Sequence, residues 1–333
     1  MNEVTKSGVI DFLENKVNSV RVLVIGDVML DRYFFGTATR ISPEAPVPVN
    51  RVARKKDTLG GAANVAHNLA RLGSQVYLAG VIGDDHHGRL LKKQIEESAI
   101  NADGIIKGRE STTTKIRILG GHQQMIRVDF EETEAITGEA VHTLQTYIHD
   151  RIEQGIDAII ISDYGKGVNT IEICQDAIKM AKTKCIPVLV DPKGIDWQKY
   201  TGATYITPNV KEASEVLNRR LDNSDDEDIK QAATLIREQY AIDHVMITRS
   251  ERGLSMFSSD TEINISTVAQ EVFDVSGAGD TVISVFAAGI GGNLKPAMAA
   301  QIANFAAGIE VEKLGTYAVS SNDLVQKLTG DKA

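Results

Sequence analysis

A chain of 333 residues that is 42% apolar has ample material for a hydrophobic core, in one large α/β domain or two smaller ones, and is far from the composition of a disordered protein. A formal net charge of -9 argues against nucleic acid or an anionic membrane as a general partner, because such surfaces select an excess of Lys and Arg, so an anionic ligand needs a local site. The only cysteines, Cys174 and Cys185, form no C-x-x-C pair; neither a disulfide framework nor a zinc site is indicated, and both read as buried small hydrophobes.

The N-terminal stretch MNEVTKSGVIDFLENKV is patterned as an amphipathic helix and lacks the continuous apolar segment of a signal peptide. No stretch approaches a membrane span, and the expected location is the cytoplasm. Short β-branched runs then recur with helical patterns between them: RVLVIGD, QVYLAGVIG, DAIIISD, IPVLVD, TYITPN and HVMITRS. Continuous apolar runs of this kind suit strands buried on both faces, so the pattern predicts a doubly wound α/β fold, a mainly parallel sheet flanked by helices, in a single domain over 1–333. Segments 33–58 and 111–131 break the pattern. The second reads as a hairpin, TTTKIRIL and HQQMIRVDF joined at Gly120-Gly121, which predicts a small antiparallel β lid. The acidic loop DNSDDED at 222–228 reads as a solvated connection.

In an open parallel sheet, ligands sit beyond the carboxyl ends of the strands. The residues in those places are unusually polar: Asp27 and Asp31, Asp163 and Lys166, Asp191 and Lys193, Asn209 and Glu212, Thr248 and Arg249. Near the C-terminus, DVSGAGDTVI places Gly277, Ala278 and Gly279 before an aspartate at the mouth of an apolar helix. Glycines there leave backbone N–H groups open to a ligand, and the helix N-terminus adds its favourable dipole, which makes an anion hole. The same dipole is expected to keep Asp280 ionised as a weak base, which suits phosphoryl transfer because that reaction needs positioning more than strong proton abstraction. Asp280 could equally be an N-cap after a glycine turn. A second cluster, LGGAANVAHNLARLG, puts Gly60, Gly61 and Asn64 at the start of another helix, where Asn64 can read hydroxyls as donor and acceptor. P-loop, complete G-x-G-x-x-G and protein-kinase motifs are absent, and the His86-His87 pair has no partner at metal spacing and reads as surface.

Taken together, GGAAN, PNVKE (208–212) and DVSGAGD resemble the ribokinase-like (PfkB) carbohydrate kinases, with the glycine motifs in that family's order and separation over about residues 20–325. Where relatives often have T-x-G-x-x-G, this chain has TRSERG, with Ser250 in place of the first glycine. Within the family, GDVMLDRYFFGTATRISPEAPVPV, QQMIRVDFEE, SDYGKG and DPKG look like the kinase part of the D-glycero-β-D-manno-heptose 7-phosphate kinases of lipopolysaccharide inner-core synthesis.

The resemblance implies an ATP-dependent kinase that phosphorylates the anomeric C1 hydroxyl of the heptose 7-phosphate. Asp280 would take the hydroxyl proton while the N–H groups of Gly277, Ala278 and Gly279 hold charge on the transferred phosphoryl. Asp31, Gly61, Asn64 and Asp163 would bind the sugar, and its own phosphate calls for cations, for which Arg127, Lys166 and Lys193 are the candidates. Asn209, Glu212, Thr248 and Gly253 would serve ATP, with Glu212 and Asn209 acting on Mg²⁺ through water. A monovalent cation is also compatible with the family. The lid would exclude water from the γ-phosphate, and lid pairing in the family implies a homodimer. Some relatives carry a fused nucleotidyltransferase with an H-x-G-H motif that this sequence lacks, so adenylylation is expected of a separate protein. The alternatives are another sugar or sugar-phosphate kinase of the same fold, and a non-catalytic sugar-phosphate sensor.

Overall fold

The computed structural model describes residues 3–121, 123–268, 272–313 and 315–330, so His122 of the hairpin lies outside the described residues. The first half runs α1 (Glu3–Asp11), β1 (Arg21–Gly26), β2 (Val28–Ile41), β3 (Pro48–Gly61), α2 (Ala62–Leu72), β4 (Gln75–Gly83), α3 (His86–Glu97), β5 (Asn101–Arg109), β6 (Thr114–Gly120) and β7 (Gln123–Phe130). The second half follows as α4 (Glu139–Glu153), β8 (Ala158–Ser162), α5 (Ile171–Thr183), β9 (Val188–Asp191), β10 (Tyr205–Ile206), α6 (Val210–Val216), α7 (Asp226–Tyr240) and β11 (His244–Thr248). It ends with β12 (Leu254–Phe257), β13 (Glu262–Ile265), α8 (Ala278–Gly291), α9 (Pro296–Val311) and α10 (Ser321–Thr329).

The larger sheet has the order β13-β12-β11-β10-β9-β8-β1-β4-β5, its pairings parallel except for β11–β12 and β12–β13 at one edge. The apolar run in β1 explains why it lies in the interior: Val22 and Val24 enter the core on one face, shared with α2, α8 and α9, while Leu23 and Ile25 enter the other, shared with α4, α5 and α7. A strand whose consecutive side chains are all buried has a core above and below it, and each such side chain contributes roughly 1.5–3 kcal/mol. The helices between strands are set by their caps: the Thr170 side chain accepts from Ile173 N–H at the start of α5, and Gly73 closes α2 in the left-handed conformation with φ 109°.

The expected lid is a second sheet, β3-β2-β6-β7, built from the two segments that broke the α/β pattern. Its outer pairings, β2 with β3 and β6 with β7, are antiparallel, and the central β2–β6 pairing is parallel. Three features differ from the reading of the sequence. Cys174 is buried, but Cys185 is exposed at a turn with φ 56°. His87 is half-buried, its ring between Arg32 (3.0 Å) and Thr114 (3.1 Å), so it ties α3 to the lid. The acidic loop is more than a solvated connection: Asp225 caps α7, and Asp226 pairs with the buried Arg249 at 2.7 Å.

Candidate active site

Because seven neighbouring strands run the same way, the polar residues after β1, β8, β9, β10 and β11 collect at one edge of the sheet, and α8 packs across β8 and β9 with its N-terminus there. Gly277 caps α8 with φ 98°, a conformation that disfavours a side chain, and a Cβ on it would lie 2.7 Å from Glu310 Oε1. A Cβ on Gly279 would meet nothing within 4 Å. Packing therefore does not require glycine at 279. The N–H groups of a first helical turn have no intrahelical acceptors. That of Ala278 makes a long bond to the Val275 carbonyl at 3.4 Å, so Gly277, Gly279 and the following amide are the better placed donors.

Asp280 is buried at the floor of this turn. Asn64 Nδ2 donates to its Oδ2 at 2.6 Å, and the Tyr164 hydroxyl donates to its Oδ1. Gly61 delivers Asn64 to that position: with φ 57° and the Asp27 carbonyl where a Cβ would stand, only glycine turns the chain from β3 into α2. The expectation that the helix dipole keeps Asp280 a weak base is corrected here. Burial outweighs the two hydrogen bonds and lifts its carboxyl to about 6, with Asp31 adding a smaller push in the same direction. At neutral pH the group is still mainly ionised and a stronger base than an ordinary aspartate.

A pocket opens above Asp280 between Gly277 and Gly279 on one side and Asp191, Lys193, Asn209 and Glu212 on the other, with Thr248 and Asp163 in its lining. Asn209 and Glu212 hold each other in a capping box at the start of α6, Asn209 N–H to Glu212 Oε2 at 3.1 Å and Glu212 N–H to Asn209 Oδ1 at 2.9 Å. Lys193 Nζ pairs with the other Glu212 oxygen at 3.1 Å. Among the described residues no three His, Cys, Asp or Glu side chains are grouped to hold a metal ion. Asp163 is engaged within the protein: its oxygens accept from Gly165 N–H at 2.7 Å, from the Tyr200 hydroxyl at 2.5 Å and from Lys199. Asp27 similarly accepts the N–H groups of Tyr164, Lys166 and Val168 at 2.8–3.1 Å. Together the two buried aspartates hold the loop that presents Tyr164.

On the lid side, Asp31 of β2 is buried and accepts from the guanidinium of Arg117 on β6, which also lies 5.2 Å from the Tyr33 ring. Arg117 was not singled out in the sequence, although the alternation of KIRIL places Lys115 and Arg117 on one face. Arg127 stands opposite it in the β6–β7 register but is half exposed and paired with Asp129 at 3.0 Å, away from the pocket. Lys166 pairs with Glu131 at 2.8 Å. Gly253 has φ 83° and is pressed against the Ile265 carbonyl, so it shapes the turn after β11, and Ser250 takes φ 53°, the left-handed conformation that a glycine would adopt more easily.

A ribokinase-like α/β sheet with an anion hole facing a buried aspartate under a β lid defines a sugar-kinase architecture. The model of the pfkB family carbohydrate kinases matches residues 20–323, and the chain belongs to that family: it is an ATP-dependent carbohydrate kinase. It is 42% identical over 318 residues to the bifunctional protein HldE of Pelobacter propionicus and 45% identical over 312 residues to that of Pasteurella multocida, covering 95% and 93% of this chain. The chain spans 64% of the length of each of these relatives. In fold it is similar to Arabidopsis thaliana ribokinase complexed with ribose and ATP (TM-score 0.73, 18% identity, 93% of this chain and 99% of that one). It is also similar to Escherichia coli phosphofructokinase-2 in complex with fructose-6-phosphate (TM-score 0.74, 19% identity, 94% and 98%).

Proposed function

We propose that this kinase transfers the γ-phosphoryl group of ATP to the C1 hydroxyl of D-glycero-D-manno-heptose 7-phosphate, giving the 1,7-bisphosphate for ADP-heptose and lipopolysaccharide inner-core synthesis. The observation that carries the reading is the pairing of a carboxylate with a glycine turn at a helix N-terminus: the buried Asp280 sits three residues after Gly277, and Gly277, Gly279 and Asp280 line the same pocket. As the sugar oxygen forms its bond to the γ-phosphorus and the bond to the bridging oxygen of ADP breaks, the hydroxyl proton passes to Asp280. Charge on the equatorial oxygens is met by the helix N-terminus. Asn64 and Tyr164 orient the carboxylate before substrate arrives.

The likeness to HldE over the kinase half of those proteins supports the heptose phosphate, and Arg117 beside Asp31, with Lys166 further out on the same side, supports a substrate that carries its own phosphate. Mg²⁺, when bound, neutralises phosphate charge; Glu212 and Asn209 line the pocket and would hold it through water, in keeping with an ion that retains much of its hydration. Ile126, Val128 and Phe130 are exposed on the lid face turned away from Arg127 and Asp129, which supports a homodimer formed through the lid. The two sheets act as one domain with its lid in this reading, and an adenylyltransferase activity consumes the product.

The test is ADP release with MgATP on the heptose 7-phosphate, ribose, fructose 6-phosphate and adenosine, with NMR to locate the new phosphate. Strong preference for the heptose phosphate with transfer to C1 is expected. Turnover only on another sugar would discard the heptose assignment and keep Asp280 as base. No turnover on any of them would favour a sensor.

A further inference from the structure

Behind the phosphate-binding turn lies a carboxyl that no step so far uses. Glu310 interrupts the apolar run of α9 and is 2% exposed. Its Oε1 fills the space where a Gly277 side chain would be, and its buried Oε2 has no hydrogen-bond partner.

The protonation state of this carboxyl can be followed through its neighbours. Asn68 Nδ2 donates to the Asn64 carbonyl at 3.0 Å, which turns Asn68 Oδ1 towards Thr281; Oδ1 accepts the Thr281 hydroxyl hydrogen at 3.1 Å. A threonine hydroxyl has a single hydrogen. With it given to Asn68, the Thr281 hydroxyl has none left for Glu310, whose buried Oε2 has no donor; a carboxylate so placed would be an unpaired buried charge, so the carboxyl keeps its proton. The charged groups bearing on Glu310 are both carboxylates, Asp280 on α8 and Asp274 in the loop before it. On other elements packed against α9, Lys327 of α10 binds Glu312, Asp323 of α10 caps its own helix, Glu262 of β13 binds Lys230, and Asp11 of α1 binds Lys16.

We propose that Glu310 is a positioning residue for the phosphate-binding turn and works as a neutral carboxylic acid backing Gly277, so that its ionisation shuts down phosphoryl transfer. The inference rests on the carbohydrate-kinase reading of that turn. An anion at this position would stand beside the Asp280 carboxylate and behind the N–H groups that must receive phosphate oxygens, opposing both. Burial, reinforced by Asp280, holds the Glu310 carboxyl protonated up to about pH 8. Asp280 and Glu310 are thus pushed apart so that one is ionised and the other neutral at pH 7.

The experiment is the pH dependence of kcat from 6.5 to 9.5 for the full chain and its E310Q and E310A variants, with ¹³C NMR titration of side-chain carboxyls in glutamate-labelled protein. In the unaltered enzyme kcat falls about tenfold per pH unit above pH 8. E310Q keeps the rate at pH 7 within about threefold and loses this alkaline limb, while E310A, which empties the space behind Gly277, loses about tenfold or more at pH 7. An unchanged limb in E310Q, or a folded E310Q as impaired at pH 7 as E310A, would overturn the proposal. The NMR titration decides independently of any turnover, and of whether E310A folds. The resonance that disappears in E310Q must titrate near pH 8; ionisation below pH 7 rejects the idea even where no sugar is phosphorylated.

Discussion

The two sides of the pocket are built on different principles. The anion-hole side is made of backbone: Gly277, Gly279 and the start of α8 present N–H groups whose positions follow from the turn itself, and the one ionisable group among them, Asp280, is fixed by Asn64 and Tyr164. The facing side, together with the lid, is made of long charged side chains, Arg117, Lys166 and Lys193, each already paired with a carboxylate, Asp31, Glu131 and Glu212. A backbone site needs no reorganisation when charge develops, which suits chemistry. A side-chain site must exchange partners as a ligand enters, which suits selection between substrates at some cost in affinity.

The sharpest way to break this comparison is at Asp280. Asp280→Asn keeps the hydrogen-bonding shape, so sugar binding should persist in calorimetry while kcat drops by about 10³-fold or more, within the range for loss of a catalytic base. The same change should stabilise the fold. The folded carboxyl titrates near 6 against an ordinary 3.8, so the native state binds more protons across that interval and carries an unfavourable charge at pH 7. Removing it should gain on the order of 2 kcal/mol, read as a raised Tm.

The next largest effect belongs to the lid. Arg117→Ala leaves Asp31 buried without its partner and should raise KM for the sugar phosphate about 10- to 100-fold with little change in KM for ATP. Arg127→Ala, at an exposed pair, should move either constant no more than about twofold. Equal effects of the two would contradict the placement of the substrate beside Asp31. The smallest effect is expected at Ser250→Gly, which relieves the left-handed φ of 53° and should gain at most about 1 kcal/mol by denaturant titration without altering kcat.

The same contrast decides what could be read from the chain alone. Backbone chemistry leaves a mark on composition: GAGD and GGAAN announce tight turns because few other residues take those conformations, and the runs around Leu23 and Ile160 announce buried parallel strands. Side-chain pairing leaves almost none. Arg117 meets Asp31 from 86 positions away, and of the several cations on the lid its sequence neighbourhood did not distinguish it from Arg127. Tyr164 sits in the plainly polar SDYGKG, yet its bond to Asp280 depends on Asp27 and Asp163 folding that loop. Glu310 had a signal that passed unread, a single acid inside the apolar run ANFAAGIEV. The dipole argument for Asp280 had the wrong direction, because depth of burial is not visible in a sequence.

The measurement that bears most directly on the whole account is the acid limb of single-turnover phosphoryl transfer by the unaltered enzyme between pH 4.5 and 7.5. With a burial-raised Asp280 as base, the rate should fall about tenfold per unit below a midpoint near 6. A rate that stays flat through pH 5 would mean that Asp280 does not take the proton, and the pocket would have to work by positioning alone.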